Sequence, residues 1–191
     1  METLVTRQVP ALLVDQLWQL HEQAFIGLRT RAAQAHHLDR TSFGAILDDE
    51  RVGKYIVLDD AHGGLPCGIS TLTNDLEAIP LISTEYYAHR WPDYYRGQLI
   101  WYVGFLAVHP DYQGRGVIRA LISRMCAEAA DTGGVMAADI CEYNETVRRL
   151  TTTIARLACT YAPEATPLRL DAQVYWALEF PTPRGTGETV R

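Results

Sequence analysis

The chain has 191 residues, 48% of them hydrophobic and 21% charged, enough for one domain of ordinary size with a real core and too few for a second. No run of 18 or more apolar residues occurs, and the start Met-Glu-Thr-Leu-Val-Thr-Arg lacks both a basic start and an apolar signal core, so a soluble, cytoplasmic protein is expected. Seventeen basic residues against 23 acidic ones give a formal charge of −6, which argues against a general nucleic-acid binder or a polybasic membrane binder and leaves room for a local basic patch.

Residues 10–27 open on Pro10, whose fixed φ suits a first helical position, and continue with Leu13, Leu17, Leu20 and Ala24 beside Val14, Trp18, His21 and Phe25, an amphipathic helix closed by Gly27. Leu28 to Arg40 is polar and locally basic, either a loop or the start of a second helix. Residues 41–50 read as a short helix capped by Thr41 or Ser42. Lys-Tyr-Ile-Val-Leu after Val52, a turn at Gly63-Gly64, and Cys67-Gly-Ile-Ser-Thr-Leu-Thr then read as a β-hairpin. Residues 75–97 form a long irregular connection carrying Tyr86, Tyr87, His89, Trp91, Tyr94 and Tyr95, longer than the usual hairpin loop. The run from Gln98 to Val108 is too continuously apolar for a surface strand and is placed centrally in a sheet. A helix follows from about residue 115, with Val117, Leu121, Met125 and Ala129 on one row and Gly133-Gly134 as its stop. Residues 135–141 read as a strand, Asn144 as the cap of a helix to about Ala158, and Ala172 to Phe180 as a last strand. The tail from Pro181 to Arg191, rich in Pro, Gly and Thr, is expected to be disordered. Cys67, Cys126, Cys141 and Cys159 are widely spaced, match no metal-ligand pattern and are expected to be reduced, with no metal bound.

The chemistry concentrates in Leu106-Ala-Val-His-Pro-Asp-Tyr-Gln-Gly-Arg-Gly-Val-Ile-Arg. A central strand running through a glycine-rich bend into a helix presents unpaired N–H groups and the positive end of the helix dipole, a geometry that binds an anion. Arg115, Arg119 and Arg124 follow with no acid among them; basic residues there oppose the dipole by roughly 0.3–1 kcal/mol each when exposed, so a compensating anion is expected. Glu128 and Asp131, at the other end of the same helix, also oppose the dipole, and the sequence gives no account of them. A P-loop is excluded because no Gly-Lys-Ser/Thr follows the bend, and a dinucleotide fingerprint fits poorly because His109 to Gln113 intervene and Arg119 stands where the third glycine belongs.

The string Leu106-Ala-Val-His-Pro-Asp-Tyr-Gln-Gly-Arg-Gly resembles the central motif of the GNAT superfamily, the CoA-dependent N-acetyltransferases, whose signature is Arg/Gln-x-x-Gly-x-Gly/Ala; Gln113 and Gly116 match, and Ile118 replaces the last small residue. The order of elements resembles the family up to Phe180. The resemblance implies an α/β (α+β) GNAT fold, a mixed, mostly antiparallel central sheet flanked by helices, in one domain over residues 1–180 with a tail at 181–191. It also implies acetyl-CoA as co-substrate. The pantetheine arm would pair with Leu106, Ala107 and Val108, the pyrophosphate would rest on Gln113, Gly114, Arg115, Gly116, Val117 and Ile118 with Arg119 adding charge, and Asn144 would contact the donor. A backbone N–H at or near Leu106 would polarise the thioester carbonyl.

Two departures from the pattern matter. Ile118 is expected to point into the core and leave the bend intact. Thr151 stands where the family usually has a proton-donating tyrosine, which leaves Tyr143, Tyr161, Tyr102 or water to protonate the thiolate. No acid lies on the motif strand, so the proton acceptor is sought in the aromatic segment, among Asp75, Glu77, Glu85, His89 and Asp93, with Glu85 and Asp93 foremost; Tyr102, with a reference pKa near 10, suits an acid or water-positioner better. The implied reaction moves an acetyl or small acyl group from CoA to the amine of a small molecule by direct attack in a ternary complex, the acceptor entering beside the Tyr/Trp-rich segment. A CoA-binding protein without catalysis and a protein N-acetyltransferase are the alternatives. The family often dimerises, so a homodimer is an open expectation.

Overall fold

The computed structural model describes residues 1–33 and 37–179. In chain order it contains β1 (Glu2–Thr6), α1 (Ala11–Phe25), α2 (Arg40–Asp48), β2 (Gly53–Asp59), β3 (Leu65–Thr73), α3 (Thr84–Arg90), α4 (Pro92–Arg96), β4 (Ile100–Val108), α5 (Val117–Thr132), β5 (Val135–Ala138), α6 (Glu142–Thr146) and α7 (Leu150–Tyr161), with single 3-10 turns between several of them. The strands lie in the order β1-β2-β3-β4-β5. All neighbours are antiparallel except β4 and β5, which run parallel, so the sheet is mixed and mostly antiparallel.

Alternation along the strands divides the core in two. Ile56, Ile69 and Ala107 turn toward Leu13, Leu17 and Leu20 of α1 and Phe43 and Leu47 of α2. Tyr55, Val57, Cys67, Trp101 and Val108 turn the other way, toward Val117, Leu121, Ile122 and Met125 of α5, with Ile154 and Leu157 of α7 outside them. Leu17, Phe43, Ile56, Ile69 and Leu121 are fully buried, each worth about 1.5–3 kcal/mol over an exposed side chain. Gly68 on β3 sets how closely α5 approaches: a Cβ there would stand 2.3 Å from a methyl of Val117, so only glycine lets the helix start lie on the sheet. Glu128 of α5 accepts from the Tyr55 hydroxyl across the core, which accounts for an acid at the unfavourable end of that helix.

Several sequence expectations need correction. Helix α2 is capped by Asp39, whose side chain accepts from Ser42 N–H at 2.7 Å, and not by Thr41 or Ser42. The connection 75–97 is not irregular: Ser83 caps α3 by accepting from Tyr86 N–H, and Pro92 opens α4. Strand β1 escaped the sequence reading because it is short and its partner β2 lies about fifty residues away. Asn144 is the third residue of the short helix α6, whose N-cap is Cys141, and the chain breaks at Arg149 (φ 51°) before α7, so Asn144 does not cap a long helix. Residues 172–179 form no strand and pair with none among the described residues, and Trp176 is 89% exposed. The expected disordered tail, and Phe180 before it, lie outside the described residues.

Candidate functional site

Strand β4 changes partners along its length. From Ile100 to Val103 it pairs with β5, and from Tyr102 onward it also has β3 on its other side, but β5 ends at Ala138, opposite Val103. Beyond that point β4 runs on for five residues with only β3 beside it among the described residues, so the sheet forks. A β-bulge sits at the fork, where the register against β3 slips between Ser70 and Leu72. Phe105 N–H donates to Thr71 Oγ1 at 3.2 Å and the Ser70 hydroxyl donates to the Phe105 carbonyl at 2.8 Å. Gly104 is needed there, because a Cβ would stand 2.7 Å from Thr71 Oγ1.

The bulge decides which backbone groups face the fork. Val135 N–H donates to the Leu99 carbonyl, so Leu99, Trp101 and Val103 turn their backbone groups toward β5. After the extra residue, Phe105 and His109 turn toward β3, since His109 N–H donates to the Cys67 carbonyl at 3.0 Å. Alternation then turns Ala107 toward β3 and the N–H and C=O groups of Leu106 and Val108 toward the open side of the fork. The side chains of Ala107 and Val108 are buried, and that of Leu106 packs against the α5 core.

The bend begins where β4 ends. A 3-10 turn over Pro110–Tyr112 leads to Gln113, then Gly114 and Gly116 adopt left-handed φ values of 77° and 87°. A Cβ at either would meet nothing within 4 Å, so glycine is required there by conformation and not by space. The first bond of the α5 ladder runs from Ala120 N–H to the Gly116 carbonyl, which leaves the N–H groups of Val117, Ile118 and Arg119 ahead of the ladder, pointing out of the helix end. Gln113 and Arg115 differ from the expectation of a fully open cradle: their N–H groups bond back to the Pro110 and Tyr112 carbonyls at 3.2 Å. Ile118 packs against the α5 core cluster, so its side chain does not fill the bend. Arg115, Arg119 and Arg124 are all exposed.

The carboxylate at the fork is one the sequence did not single out. Asp139 follows the last residue of β5, and Tyr102 on β4 donates its hydroxyl to Asp139 Oδ1 at 3.0 Å. Burial, then the Asp139 charge, push the Tyr102 hydroxyl far above its ordinary pKa, so Tyr102 stays neutral and holds the carboxylate as a donor. Tyr87 of α3 meets the Tyr102 ring edge-on at 6.2 Å and is raised chiefly by burial. Glu85 is exposed at the start of α3, accepts from the Ser83 hydroxyl at 3.0 Å, and is held below the usual carboxylate range by its own backbone N–H and by Ser83. Asp93 is exposed at the start of α4 and pairs with Arg96. Both therefore serve the ends of surface helices. A cavity of about 330 Å³ bordered by Asn74, Asp75, Gln98 and Ile100 lies at the start of β4, roughly 25–30 Å of strand away from the bend, and does not include the fork.

The remaining candidates lie beyond the fork. Arg31, after α1, donates to the Tyr143 hydroxyl at 3.1 Å and stacks over its ring. Arg148 reaches Gln113 Oε1 at 3.2 Å and ties the turn between α6 and α7 to the bend. Thr151 donates to Glu145, which engages its hydroxyl within α6 and α7. Tyr161 is exposed at the end of α7.

The model of the acetyltransferase (GNAT) family matches residues 14–152, which include the whole of the fork and the bend. No curated protein sequence matches the chain. Among solved structures, the chain is similar to the aminoglycoside N-acetyltransferase AAC(6')-Iy in complex with a CoA-linked acetylneamine bisubstrate analogue (13% identity, TM-score 0.54, covering 94% of this chain and 100% of that one). It is similar also to a putative acetyltransferase from Salmonella typhimurium with acetyl-CoA (19% identity, TM-score 0.51, 81% and 79%) and to the ribosomal-protein-S18-alanine N-acetyltransferase from Escherichia coli (13% identity, TM-score 0.51, 80% and 76%). At these identities the likeness is one of fold. Among the described residues no helix is long and apolar enough to cross a membrane.

Proposed function

Since the chain belongs to the GNAT acetyltransferase family, we propose that it transfers an acetyl or small acyl group from acyl-CoA to the amine of a small-molecule acceptor, in the cytoplasm where acetyl-CoA is made and used. The observation that carries this reading is the fork: a central strand whose Leu106 and Val108 backbone groups have no strand on one side among the described residues, leading directly into a left-handed glycine bend and a helix start. In this reading the open edge along Leu106, Ala107 and Val108 receives the pantetheine amide groups as an added strand would, through the backbone groups of Leu106 and Val108, while those of Ala107 face β3. The pyrophosphate rests on the N–H groups of Gly114, Gly116, Val117 and Ile118, with Gln113, Arg115 and Arg119 around it. Asn144, on α6, contacts the donor in the same reading.

The chemistry follows from these placements. The acceptor amine attacks the thioester carbon, a C–N bond forms and the C–S bond breaks, with Leu106 N–H stabilising the charge on oxygen. We assign the proton of the attacking amine to Asp139, which Tyr102 holds at the end of β5 beside the fork, in preference to Glu85 or Asp93, which stand exposed on the surface helices α3 and α4. The thiolate leaves toward the positive end of α5 and takes its proton from water, since Thr151 spends its hydroxyl on Glu145. The aromatic α3–α4 segment beside Tyr102 favours a small amine acceptor, in keeping with a structural neighbour solved with an acetylneamine analogue.

A thiol-release screen tests the reading: acetyl-, propionyl- and longer acyl-CoAs against neamine, simple polyamines and a peptide with an N-terminal alanine. Amine-dependent release with a small amine supports it, and release with the peptide alone moves the acceptor to protein. Stabilisation by CoA, about 2.7 kcal/mol at 100 times its dissociation constant, with no release from any pair, would leave a CoA-binding protein without catalysis.

A further inference from the structure

Asp59 closes β2 at the rim of the sheet, and all its bonds lead toward the bend or its own turn. Its Oδ2 accepts from the Tyr112 hydroxyl at 2.7 Å and lies 2.6 Å from His62 Nδ1, and its Oδ1 accepts from Ala61 N–H at 3.1 Å. Tyr112 belongs to the bend but sits fifty-three residues from Asp59 in the chain, so this is a tertiary tie from the hairpin tip to the loop. On the Tyr112 ring lie two further groups of the same loop: the Arg115 guanidinium, 5.4 Å above the ring centre, and His109, edge-on at 5.8 Å. The Tyr112 hydroxyl and His62 hold the Asp59 carboxyl below its ordinary pKa, so the acceptor is a carboxylate at neutral pH.

We infer that Asp59 and Tyr112 are positioning residues that hold Arg115 over the bend and thereby strengthen its grip on a phosphorylated donor. The inference rests on the donor-binding reading above and adds to it a specific pair that touches no donor atom. Arg115 is exposed and carries a long flexible stem, so an unsupported guanidinium would lose side-chain entropy on binding a phosphate. Resting on a ring whose hydroxyl is tied to Asp59, it is held in place before a phosphate arrives.

A thermodynamic cycle on the full-length protein, read by calorimetric titration with CoA, tests this. Asp59→Asn and Tyr112→Phe are each expected to weaken CoA binding by about three- to tenfold, and in an Arg115→Ala background neither should weaken it further, because their effect passes through Arg115. Tyr112→Phe keeps the ring and loses one oxygen, so it guards against misfolding of the carboxylate variant. Undiminished affinity in Tyr112→Phe, or losses that add to that of Arg115→Ala, would overturn the inference while leaving the donor site standing. A wild-type protein that takes up no CoA would overturn the donor-binding reading itself, and the brace with it.

Discussion

Asp139 shows how one residue changes meaning with a strand boundary. A sequence reading that runs the strand to residue 141 buries Asp139 inside it, whereas β5 stops at Ala138 and leaves the carboxylate at the fork, bonded to Tyr102. The signal available in the sequence was only the shift from Val-Met-Ala-Ala to Asp-Ile-Cys-Glu, too weak to fix the last paired residue. If Asp139 takes the amine proton, Asp139→Asn should lower kcat by about a hundredfold or more while the affinity for CoA stays within twofold. Tyr102→Phe should act more mildly and in the same direction. Glu85→Gln, by contrast, should leave kcat unchanged in steady-state assays. Gly116 is constrained differently: at φ 87° an alanine is strained although space is open, so Gly116→Ala should cost about 1 kcal/mol in chemical denaturation and weaken CoA as the bend distorts.

Elements whose signals are local were legible, and those defined by distant partners were not. The motif strand, the bend and α5 could be read because hydrophobic run, glycines and helical period lie in one stretch of sequence. Strand β1 exists only through pairing with β2, and residues 172–179, with a strand-like composition, find no partner among the described residues. The aromatic segment hid two helices because each is about one to two turns long, with a helical period too short to register, though Ser83 and Pro92 marked their starts. Removing the α3 cap with Ser83→Ala should destabilise the protein by about 1 kcal/mol, measured as a shift in the urea midpoint. At the fork, Gly104→Ala forces a Cβ against Thr71 Oγ1 and should disturb the bulge, lowering both stability and donor affinity in a way that Gly44→Ala, on α2 with open space around it, should not.

For the whole molecule, the core carries a polar group at a cost. His21 on α1 is fully buried among Trp18, Phe25, Phe43 and Phe105, and neither ring nitrogen has a hydrogen-bond partner among the described residues. Burial first, then the nearby His37, lower its pKa from 6.5 to about 4. Between those values the unfolded chain binds a proton that the folded one refuses, so stability is full above about pH 6.5 and falls as pH drops toward 4, by at most about 3 kcal/mol from this group. Urea titrations at pH 7 and pH 5 should show that loss, and His21→Phe should flatten it; an equal slope in the variant would assign the loss to other groups. At the same scale, the formal charge of −6 leaves room for two exposed arginines at the bend and the first turn of α5, Arg115 and Arg119, while Arg124, two turns further on, lies near Tyr55 instead.

In the proposed function the open side of β4 beyond the bulge receives the acyl donor, with the thioester carbonyl against Leu106 N–H. The infrared carbonyl band of acetyl-CoA labelled with carbon-13 at the acyl carbon reads this contact directly in the saturated complex. The band should shift to lower frequency than in solution, and less so in Gly104→Ala; a band unmoved from its solution position in the saturated protein would rule out the contact with Leu106 N–H.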